Sequence, residues 1–196
     1  GIRDLVRSLG RGDVYRRQDA RRALKAAGIA SAGGEWFEAT LNEVKAALVS
    51  VRSGQAFDSK RTQDFPMRPE QEDAVALTAG YFSAHAGAAK PPKFLWNAKM
   101  RFGKPFTAYQ LAKRLDASRV LVITFKPAVE DAWQSDLESH VDFEGWQYIS
   151  RASESDPTTI DAAKPLVYFG SFQDLLGKDK AGNIKAKNEW LHTVPW

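Results

Sequence analysis

The sequence predicts an α/β protein with a mainly parallel sheet between helices, preceded by a small helical N-terminal segment. Two observations lead to this fold class. Residues 1–60 carry apolar side chains at helical spacing, whereas short apolar runs alternate with amphipathic stretches from Arg68 onward. Parallel strands joined by helices are covered on both faces, so they appear in sequence as near-continuous apolar runs. We therefore expect a small helical, basic domain over residues 1–60 and an α/β domain over residues 61–196.

The composition restricts the chemistry that the 196 residues can perform. No apolar run approaches the roughly 20 residues that a membrane-spanning helix needs, so we expect a cytoplasmic protein with no membrane partner. The chain has no Cys, and its three His residues lack the spacing of metal ligands. Disulfides, thiolate chemistry and Cys-based zinc sites are therefore excluded, and we expect no protein-bound metal centre.

The excess positive charge lies in the first segment. Residues 1–60 hold 11 Lys and Arg against 7 Asp and Glu, whereas residues 61–196 hold 17 of each kind. Such an asymmetry is typical of proteins with an acidic partner such as nucleic acid. It is equally typical of solvated helix faces, so both interpretations stay open.

Two helices are predicted in this first segment. Residues 16–27 place Ala20 and Leu24 on one side and several basic residues on the other, and Gly28 follows as a stop signal. The second helix begins at Thr40, whose hydroxyl can form a capping box with Glu43, and Gly54 ends it. The pair suggests a helix-turn-helix module, and the alternative is a basic solvated face on a packing helix.

Residues 54–66 lose all periodicity and are predicted to be a linker. The α/β pattern then begins with a helix over residues 69–85 and a strand over residues 93–97. The remaining predicted elements are helices over residues 105–115 and 128–140 and strands over residues 119–124, 146–150 and 166–170. Ligands of parallel sheets bind beyond the carboxyl ends of the strands, which is where residues 98–104 are expected.

The most informative run extends from Phe94 to Pro105. Ala98, four further residues, and then Gly103 and Lys104 follow a predicted strand and precede a predicted helix. This is the order of a phosphate-binding P-loop, in which small residues let the backbone N–H groups wrap the phosphates and the Lys reaches the β- and γ-phosphates. Pro105 stands where such a loop has a Ser or Thr hydroxyl for Mg²⁺.

The motifs also follow a recognisable order along the chain. The run from Arg68 to Gln71 precedes the loop, and residues 120–127 and 167–175 follow it. This order resembles the first RecA-like lobe of superfamily 2 helicases and translocases, most closely the motor subunits of type I and type III restriction enzymes. The resemblance covers about residues 65–196.

The resemblance implies ATP and Mg²⁺ as cofactors and DNA as partner. Lys104 corresponds to the catalytic phosphate-binding Lys, and Gln71 to the Gln that binds the adenine edge. The other implied nucleotide contacts are Arg68, Ala98, Arg101, Phe102, Gly103 and Pro105. Arg101 has two possible roles, because it can shield phosphate or fold against the protein.

The implied contacts with the nucleic-acid backbone lie after two of the strands. They are Thr124, Lys126, Ser171 and Gln173. Hydroxyl and ammonium groups can hold phosphate without reading bases. Each position also has a structural interpretation, in which Ser171 caps a short helix, Thr124 merely ends a strand, and Phe125 and Phe172 belong to the core.

Two departures from the family pattern affect the expected activity. Pro105 lacks both the hydroxyl for Mg²⁺ and the backbone N–H for phosphate, although it is compatible with a helix start. We also expect the chain to stop before the family's Asp-Glu box and its second RecA-like lobe. The parent protein is then an ATP hydrolase, with a nuclease domain as a possible further part, and this fragment alone is inactive.

Three functions remain after these steps. The first is the N-terminal part of an ATP-dependent DNA helicase or translocase of restriction-enzyme type. The second is a non-catalytic nucleic-acid-binding module with a degenerate P-loop, in which the basic helix makes the contact. The third is another P-loop enzyme such as a small kinase.

Overall fold

The computed structural model describes residues 13–33, 36–151, 160–175, 186–194 and 196. By its contacts the chain divides into two compact units. The first contains the residues up to Pro66 together with Glu138–Glu144, and the second contains Met67–Leu137 and Gly145–Trp196. The two domains predicted from the sequence, 1–60 and 61–196, stay a prediction, and each compact unit is described by itself.

Two helices form the core of the first unit. Helix α1 spans Asp13–Ala26 and helix α2 spans Leu41–Ser53. Ala20 and Leu24 of α1 are buried against Ala47 of α2, as the helical spacing of the apolar residues predicts. Apolar side chains from the connections complete the cluster, including Ile29, Phe37, Ala39 and Phe57.

The predicted signals of the second helix are confirmed. Thr40 is the N-cap, its hydroxyl oxygen accepts from the backbone N–H of Glu43, and the Glu43 carboxylate accepts from the backbone N–H of Thr40 at 2.6 Å. Gly54 ends α2 with φ at 72°, in the left-handed region that favours glycine. Local sequence thus fixes both ends of this helix.

The connection between the two helices differs from the prediction. Strands β1 (Ser31–Gly33) and β2 (Trp36–Phe37) form a small antiparallel hairpin, in which Ser31 pairs with Phe37. The structure thus adds an antiparallel hairpin to the predicted helical segment, and this hairpin stands in place of the suggested helix-turn-helix connection. Gly33 has φ at 101°, and the Ser31 hydroxyl donates to the Trp36 carbonyl at 3.2 Å, so this stretch turns and pairs with itself.

The stretch after α2 contains no helix or regular strand, as predicted for a linker, but hydrogen bonds fix it within the first unit. The backbone N–H groups of Thr62 and Gln63 both donate to the Ser139 carbonyl, at 2.9 and 3.0 Å. His140 is buried, and its Nε2 lies 2.9 Å from the Phe65 carbonyl oxygen. Residues 138–144 therefore belong to this unit although they are distant in sequence.

A three-stranded parallel sheet organises the second unit. Its strands are β3 (Arg119–Thr124), β4 (Gln147–Ser150) and β5 (Leu166–Ser171), in the order β3-β5-β4. Every residue of the central strand β5 is buried. The parallel α/β architecture predicted from the apolar runs is confirmed for these three strands.

Helices connect and flank this sheet. Helix α3 spans Pro69–Ala84, α4 spans Lys104–Arg114, and α5 spans Glu130–Ser139 after a 3₁₀ turn at Pro127–Val129. The remaining elements are a 3₁₀ turn at Val141–Phe143, the short helices α6 (Phe172–Leu175) and α7 (Ala186–Glu189), and a 3₁₀ turn at Trp190–His192. Tyr109 of α4 is fully buried and donates its hydroxyl to the Trp133 carbonyl at 3.0 Å. Burial raises the pKa of this phenol, so the hydroxyl stays a donor.

The predicted strand over residues 93–97 is wrong. Among the described residues these five have no partner strand, and they run as an extended segment beside α3. The Trp96 indole N–H donates to the Thr78 hydroxyl of α3 at 2.7 Å, and the Phe94 ring lies 5.5 Å from that of Tyr81. An apolar run can be satisfied by packing on a helix as well as by a sheet, and periodicity does not distinguish the two.

A search of the described helices for a membrane span finds none, because no helix combines the necessary length with sufficient hydropathy.

The capping box of α2 makes a prediction about pH. The backbone N–H and the hydroxyl of Thr40 both donate to Glu43 and lower its pKa. A carboxyl with a lowered folded-state pKa stabilises the fold above its ordinary value, about 4.3, and loses this effect as the pH falls through the folded value. Glu43→Gln keeps a side chain that can form the box but does not titrate.

We therefore expect the protection of α2 amides from hydrogen exchange to exceed that of Glu43→Gln at pH 7. The excess should shrink as the pH falls below the ordinary Glu range. Parallel pH profiles of the two proteins would contradict the assigned role of the carboxylate.

Candidate functional site

The first candidate site is the loop of residues 98–103 with the beginning of α4. Gly103 is the N-cap of this helix, with φ at 79°, and Arg101 has φ at 63°. Both values lie in the left-handed region, which is rare for a side chain such as that of Arg101. Alternation of left- and right-handed residues turns successive backbone N–H groups toward one concave side. Two left-handed residues, Arg101 and Gly103, thus flank Phe102, whose own N–H donates to the Lys99 carbonyl at 3.4 Å.

Two side chains at the start of α3 hold this loop in place. Nη2 of Arg68 donates to the carbonyl oxygens of Arg101 and Phe102, at 3.1 and 2.6 Å. Nε2 of Gln71 donates to the same Phe102 oxygen at 2.7 Å, while its Oε1 accepts from the Arg68 backbone N–H at 2.9 Å. The carbonyl oxygens of Arg101 and Phe102 thus accept hydrogen bonds from side chains of the same chain.

Several backbone N–H groups of the loop have no hydrogen-bond acceptor among the described residues. In the ranges that the structure describes, the backbone N–H groups of Arg101, Gly103 and Lys104 donate no hydrogen bond. The first N–H groups of a helix carry its partial positive charge and lack intrahelical acceptors. An anion placed at this concave side would therefore receive several hydrogen bonds at once.

The side chains that begin α4 have different roles. The Lys104 ammonium donates to the Lys99 carbonyl at 2.9 Å, so it lies across the loop at the helix N-terminus. Pro105 is the second residue of the helix and supplies neither an N–H nor a hydroxyl. Thr107 is fully buried and its hydroxyl donates back to the Gly103 carbonyl at 2.9 Å. Thr107 therefore does not replace the hydroxyl that is missing at position 105.

An open cleft of about 590 Å³ lies beside the loop. Its walls are Arg68, Glu70, Ala74 and Leu77 from the α3 side and residues 94–102 on the other. Arg68 and Glu70 form an ion pair at 3.2 Å at its rim. Leu77, Leu95 and Met100 expose most of their surface here, Met100 as much as 90%. The cleft therefore combines apolar walls with a charged rim.

The structure thus brings most of the predicted nucleotide contacts together. Ala98, Arg101 and Phe102 form the loop and line the cleft, and Arg68 reaches across to their carbonyls. Gln71 is buried, and both ends of its amide are used within the protein. Its predicted contact with adenine stays a prediction, and the role that the structure gives it is to hold the loop.

The second candidate site lies at the carboxyl ends of β3 and β5. The two strands pair in parallel, and their last register pair is Thr124 with Ser171. The Thr124 hydroxyl oxygen accepts from the backbone N–H of Lys126 at 3.2 Å, and Gln173 Nε2 donates to the Phe125 carbonyl at 3.4 Å. All four predicted backbone contacts therefore lie at one edge of the sheet, although Ser171 itself is buried.

The interpretation of Phe125 and Phe172 as core residues is wrong, because both side chains are exposed. Phe125 exposes 70% of its surface and Phe172 exposes 45%. Each follows the last residue of its strand, where the chain leaves the sheet, so their position could have indicated exposure. No hydrogen bond between described residues links this edge to the loop of residues 98–103.

The described basic side chains of α1 differ in their exposure and pairing. Arg22 pairs with Asp19 at 3.0 Å, while Lys25 is exposed in the last turn of the helix. Arg17 and Arg21 are half-buried. Part of this positive charge is therefore used within the helix itself.

The chain is similar to a protein of Mycoplasma pneumoniae that is described as "Putative type II restriction enzyme and methyltransferase RM.MpnORF110P C-terminus". The two are 33% identical over 127 residues, which is 64% of this chain and 17% of the relative. The chain thus spans a small part of that protein's length. No model of a known protein family matches the sequence, and no solved structure gives a significant match.

The structure of the loop predicts that a side chain at position 103 lowers the free energy of unfolding. A Cβ on Gly103 would lie 2.8 Å from Gln71 Nε2, whereas a Cβ on Gly87, with φ at 83°, has no atom within 4 Å. Gly87→Ala should cost the backbone strain alone, roughly 1 kcal/mol. Gly103→Ala should cost about 1 kcal/mol more, because Gln71 must release the Phe102 carbonyl.

Urea unfolding of both variants measures this difference in the free energy of unfolding. The extra cost should disappear in a Gln71→Ala background, because the contact is then absent. Equal costs for the two glycine substitutions in the wild-type background would contradict the assigned contact.

Proposed function

We propose that this chain is the nucleotide-binding part of an ATP-dependent DNA helicase or translocase of a restriction system. The similarity to a described restriction enzyme and methyltransferase supports a function in restriction and modification, with DNA as the partner. The order of motifs supports the motor assignment. The observation that carries the proposal is the loop in which the carbonyls of residues 101 and 102 accept side-chain hydrogen bonds, while the N–H groups of Arg101, Gly103 and Lys104 donate none within the described residues.

The loop and its surroundings fit the phosphates of ATP. The free N–H groups of Arg101, Gly103 and Lys104 lie at a helix N-terminus, and the Lys104 ammonium is bound there to a neutral carbonyl oxygen. A phosphate oxygen is a stronger acceptor than a carbonyl, because hydrogen bonds to ionised groups are about twice as strong. We infer that Lys104 exchanges the Lys99 carbonyl for the phosphates when the nucleotide binds.

The adjacent cleft fits the base and ribose. Its apolar walls suit the faces of a purine, and pockets of about 300–1,000 Å³ are usual for such ligands. Arg68 lines the cleft and bonds the loop carbonyls, and the buried Gln71 bonds the loop from behind, so together they hold the proposed phosphate cradle beside the base site. In this arrangement Gln71 positions the loop whether or not it also contacts adenine.

The described residues do not fit a Mg²⁺ site. Pro105 has no oxygen to offer, the Thr107 hydroxyl is bound to Gly103, and Glu70 is paired with Arg68. A search of the described residues for a cluster of metal-ligating side chains also finds none. We derive no step through Mg²⁺, and we assign to these residues the binding and orientation of nucleotide rather than its hydrolysis.

The edge formed by β3 and β5 is the proposed contact with the DNA backbone. The exposed Lys126 ammonium offers donors for phosphate oxygens. The Thr124 hydroxyl is bonded to the backbone of Lys126 and would have to release its carbonyl to donate to phosphate. Gln173 holds the loop that carries Lys126 by its bond to the Phe125 carbonyl. Such contacts position nucleic acid without reading its sequence. DNA would thus be held at the carboxyl ends of β3 and β5, and the nucleotide would bind at the loop that precedes α4.

One observation favours the alternative, a nucleic-acid-binding module that does not use ATP. Pro105 removes two of the phosphate and metal contacts that a P-loop ordinarily supplies. The two proposals differ in a simple measurement. A chain that binds DNA but shows no detectable affinity for ATP fits the module and contradicts the motor.

The motor proposal predicts the effect of removing Lys104. Lys104→Ala should weaken ATP binding about tenfold or more, the value of a lost charge-assisted hydrogen bond. Titration calorimetry measures the affinity, and Lys90→Ala, an exposed Lys outside the cleft, is the matched control. Equal affinity of Lys104→Ala and wild type for ATP would refute the assignment of the loop.

A substitution at position 105 is expected to change ATP affinity in the opposite direction. Pro105→Thr restores a hydroxyl and a backbone N–H at the second residue of α4, and the helix tolerates either residue there. We expect ATP affinity in the presence of Mg²⁺ to rise about tenfold, with a smaller gain in EDTA. A gain of the same size with and without Mg²⁺ would assign the effect to the N–H alone.

A further inference from the structure

Positive charge is concentrated in the part of the chain that contains the candidate nucleotide site. Residues 61–196 carry equal numbers of acidic and basic residues, but residues 74–115 contain seven Lys and Arg and no Asp or Glu. Three of the seven, Lys99, Arg101 and Lys104, lie in the loop before α4 or at the first position of that helix. A phosphate ligand at this loop would therefore meet an excess of positive charge.

The side chains of these three cations are available to a ligand. Lys99 and Arg101 line the cleft and are exposed, and neither side chain forms a hydrogen bond or ion pair with another described residue. The Lys104 ammonium is bound to the neutral Lys99 carbonyl at 2.9 Å. Among the residues that the structure describes, no carboxylate is therefore paired with any of the three charges.

Two carboxylates belong to the same region, and both are engaged in other contacts. Glu70 is the acidic residue among those that line the cleft, and it pairs with Arg68 at 3.2 Å. The Asp136 carboxylate accepts from the backbone N–H of Phe106, the third residue of α4, at 3.2 Å. Within the described structure, four cations, counting Arg68, thus accompany two carboxylates at the cleft and the helix start.

Arg101 also has a backbone conformation that disfavours a side chain. Its φ is 63°, and the other described non-glycine residue with a positive φ is Asp116, at 53°. Glycine would adopt this conformation without strain, and it would supply the same carbonyl to Arg68. Strained residues cluster at binding sites, where their side chains contribute to the function. The guanidinium at position 101 therefore has its best explanation in a ligand.

The same surroundings are unfavourable for Mg²⁺ on the phosphates. Mg²⁺ usually joins a nucleotide to a protein through phosphate oxygens and one or two carboxylates. At the start of α4, Pro105 has no side-chain oxygen and the Thr107 hydroxyl is already bound to a backbone carbonyl. In the cleft, Glu70 is paired and Asn97 is uncharged. A metal ion would also cancel part of the negative charge that the cations attract.

We infer that Lys99, Arg101 and Lys104 bind the polyphosphate of a nucleotide in its metal-free form, so that this chain prefers free ATP to its Mg²⁺ complex. The planar guanidinium of Arg101 suits two phosphate oxygens at once, and the two Lys residues supply point charges. The inference rests on the proposed function for the nucleotide, and it adds the charge state of that ligand and the side chains that select it. Inorganic polyphosphate shares this chemistry, so the test includes it.

The test measures the affinity of the full chain for ATP and for inorganic tripolyphosphate by titration calorimetry, each in EDTA and in excess Mg²⁺ at matched ionic strength. ATP should bind about tenfold more tightly in EDTA, because Mg²⁺ cancels negative charge and occupies oxygens that the cations need. The preference should shrink as NaCl is added to both buffers, since salt screens exposed charges. Equal affinity in the two buffers, or tighter binding with Mg²⁺, would overturn the inference and leave nucleotide binding in place.

Variants at position 101 separate ligand binding from the fold. Arg101→Gly removes the guanidinium and relieves the backbone, so it should weaken ATP binding in EDTA about tenfold without lowering the thermal unfolding temperature. Asp116→Gly, at the other left-handed position, is the matched control and should leave ATP affinity unchanged. Arg101→Lys keeps a cation and should retain more of the preference for metal-free ATP than Arg101→Gly does. An Arg101→Gly chain that unfolds at a lower temperature and keeps its ATP affinity would assign Arg101 to the fold and overturn its role here.

The two phosphate ligands distinguish this inference from the proposed function. Tighter binding of ATP than of tripolyphosphate in EDTA supports both, because the cleft then contributes contacts with the base. Equal binding of the two ligands, each stronger in EDTA, would support the three cations and contradict the assignment of the cleft to the base. No binding of either ligand in either buffer would overturn both the inference and the proposed nucleotide site.

Discussion

The hydrogen bonds from Arg68 and Gln71 to the carbonyls of residues 101 and 102 are the constraint on which the candidate nucleotide site depends. Backbone donors and acceptors of a loop must all find partners in the protein or in solvent. Two side chains supply donors to the carbonyls of Arg101 and Phe102, while the N–H groups of Arg101, Gly103 and Lys104 donate no hydrogen bond within the described residues. The same side chains begin α3, and the Gln71 oxygen caps the Arg68 N–H there, so the helix start and the loop form one cooperative unit.

The second site is ordered by a different interaction. Six register pairs join β3 to the buried central strand β5, so the points where both chains leave the sheet are fixed to within one residue. Register determines that Thr124 stands beside Ser171. The nucleotide loop needs no sheet ladder, since it is held by side chains. The two sites therefore depend on separate sets of hydrogen bonds, and a change in one loop can leave the other intact.

The parts of the structure that the sequence predicts are those with local causes. The capping box of Thr40 and Glu43, the stop at Gly54 and the apolar runs of β3, β4 and β5 each act within a few residues. The errors arise where the outcome depends on distant partners. The run over residues 93–97 has strand composition but packs on α3 through Trp96 and Thr78, and only a partner could have made it a strand. The anchoring of residues 62 and 63 to Ser139 depends on contacts that no periodicity records.

The first turn of α4 affects the two proposed roles of the loop differently. In the proposed site the phosphates are bound by the loop N–H groups and by Lys104, and Pro105 withholds one further backbone N–H. Metal binding requires an oxygen at that helix start, and here the ring of Pro105 occupies the position while the nearest hydroxyl, that of Thr107, is bound to Gly103. A substitution that leaves the helix start and the cradle in place while it removes a metal ligand reduces turnover more than affinity. The proline at position 105 is therefore compatible with the proposed nucleotide site and unfavourable for a metal ion at the same helix start.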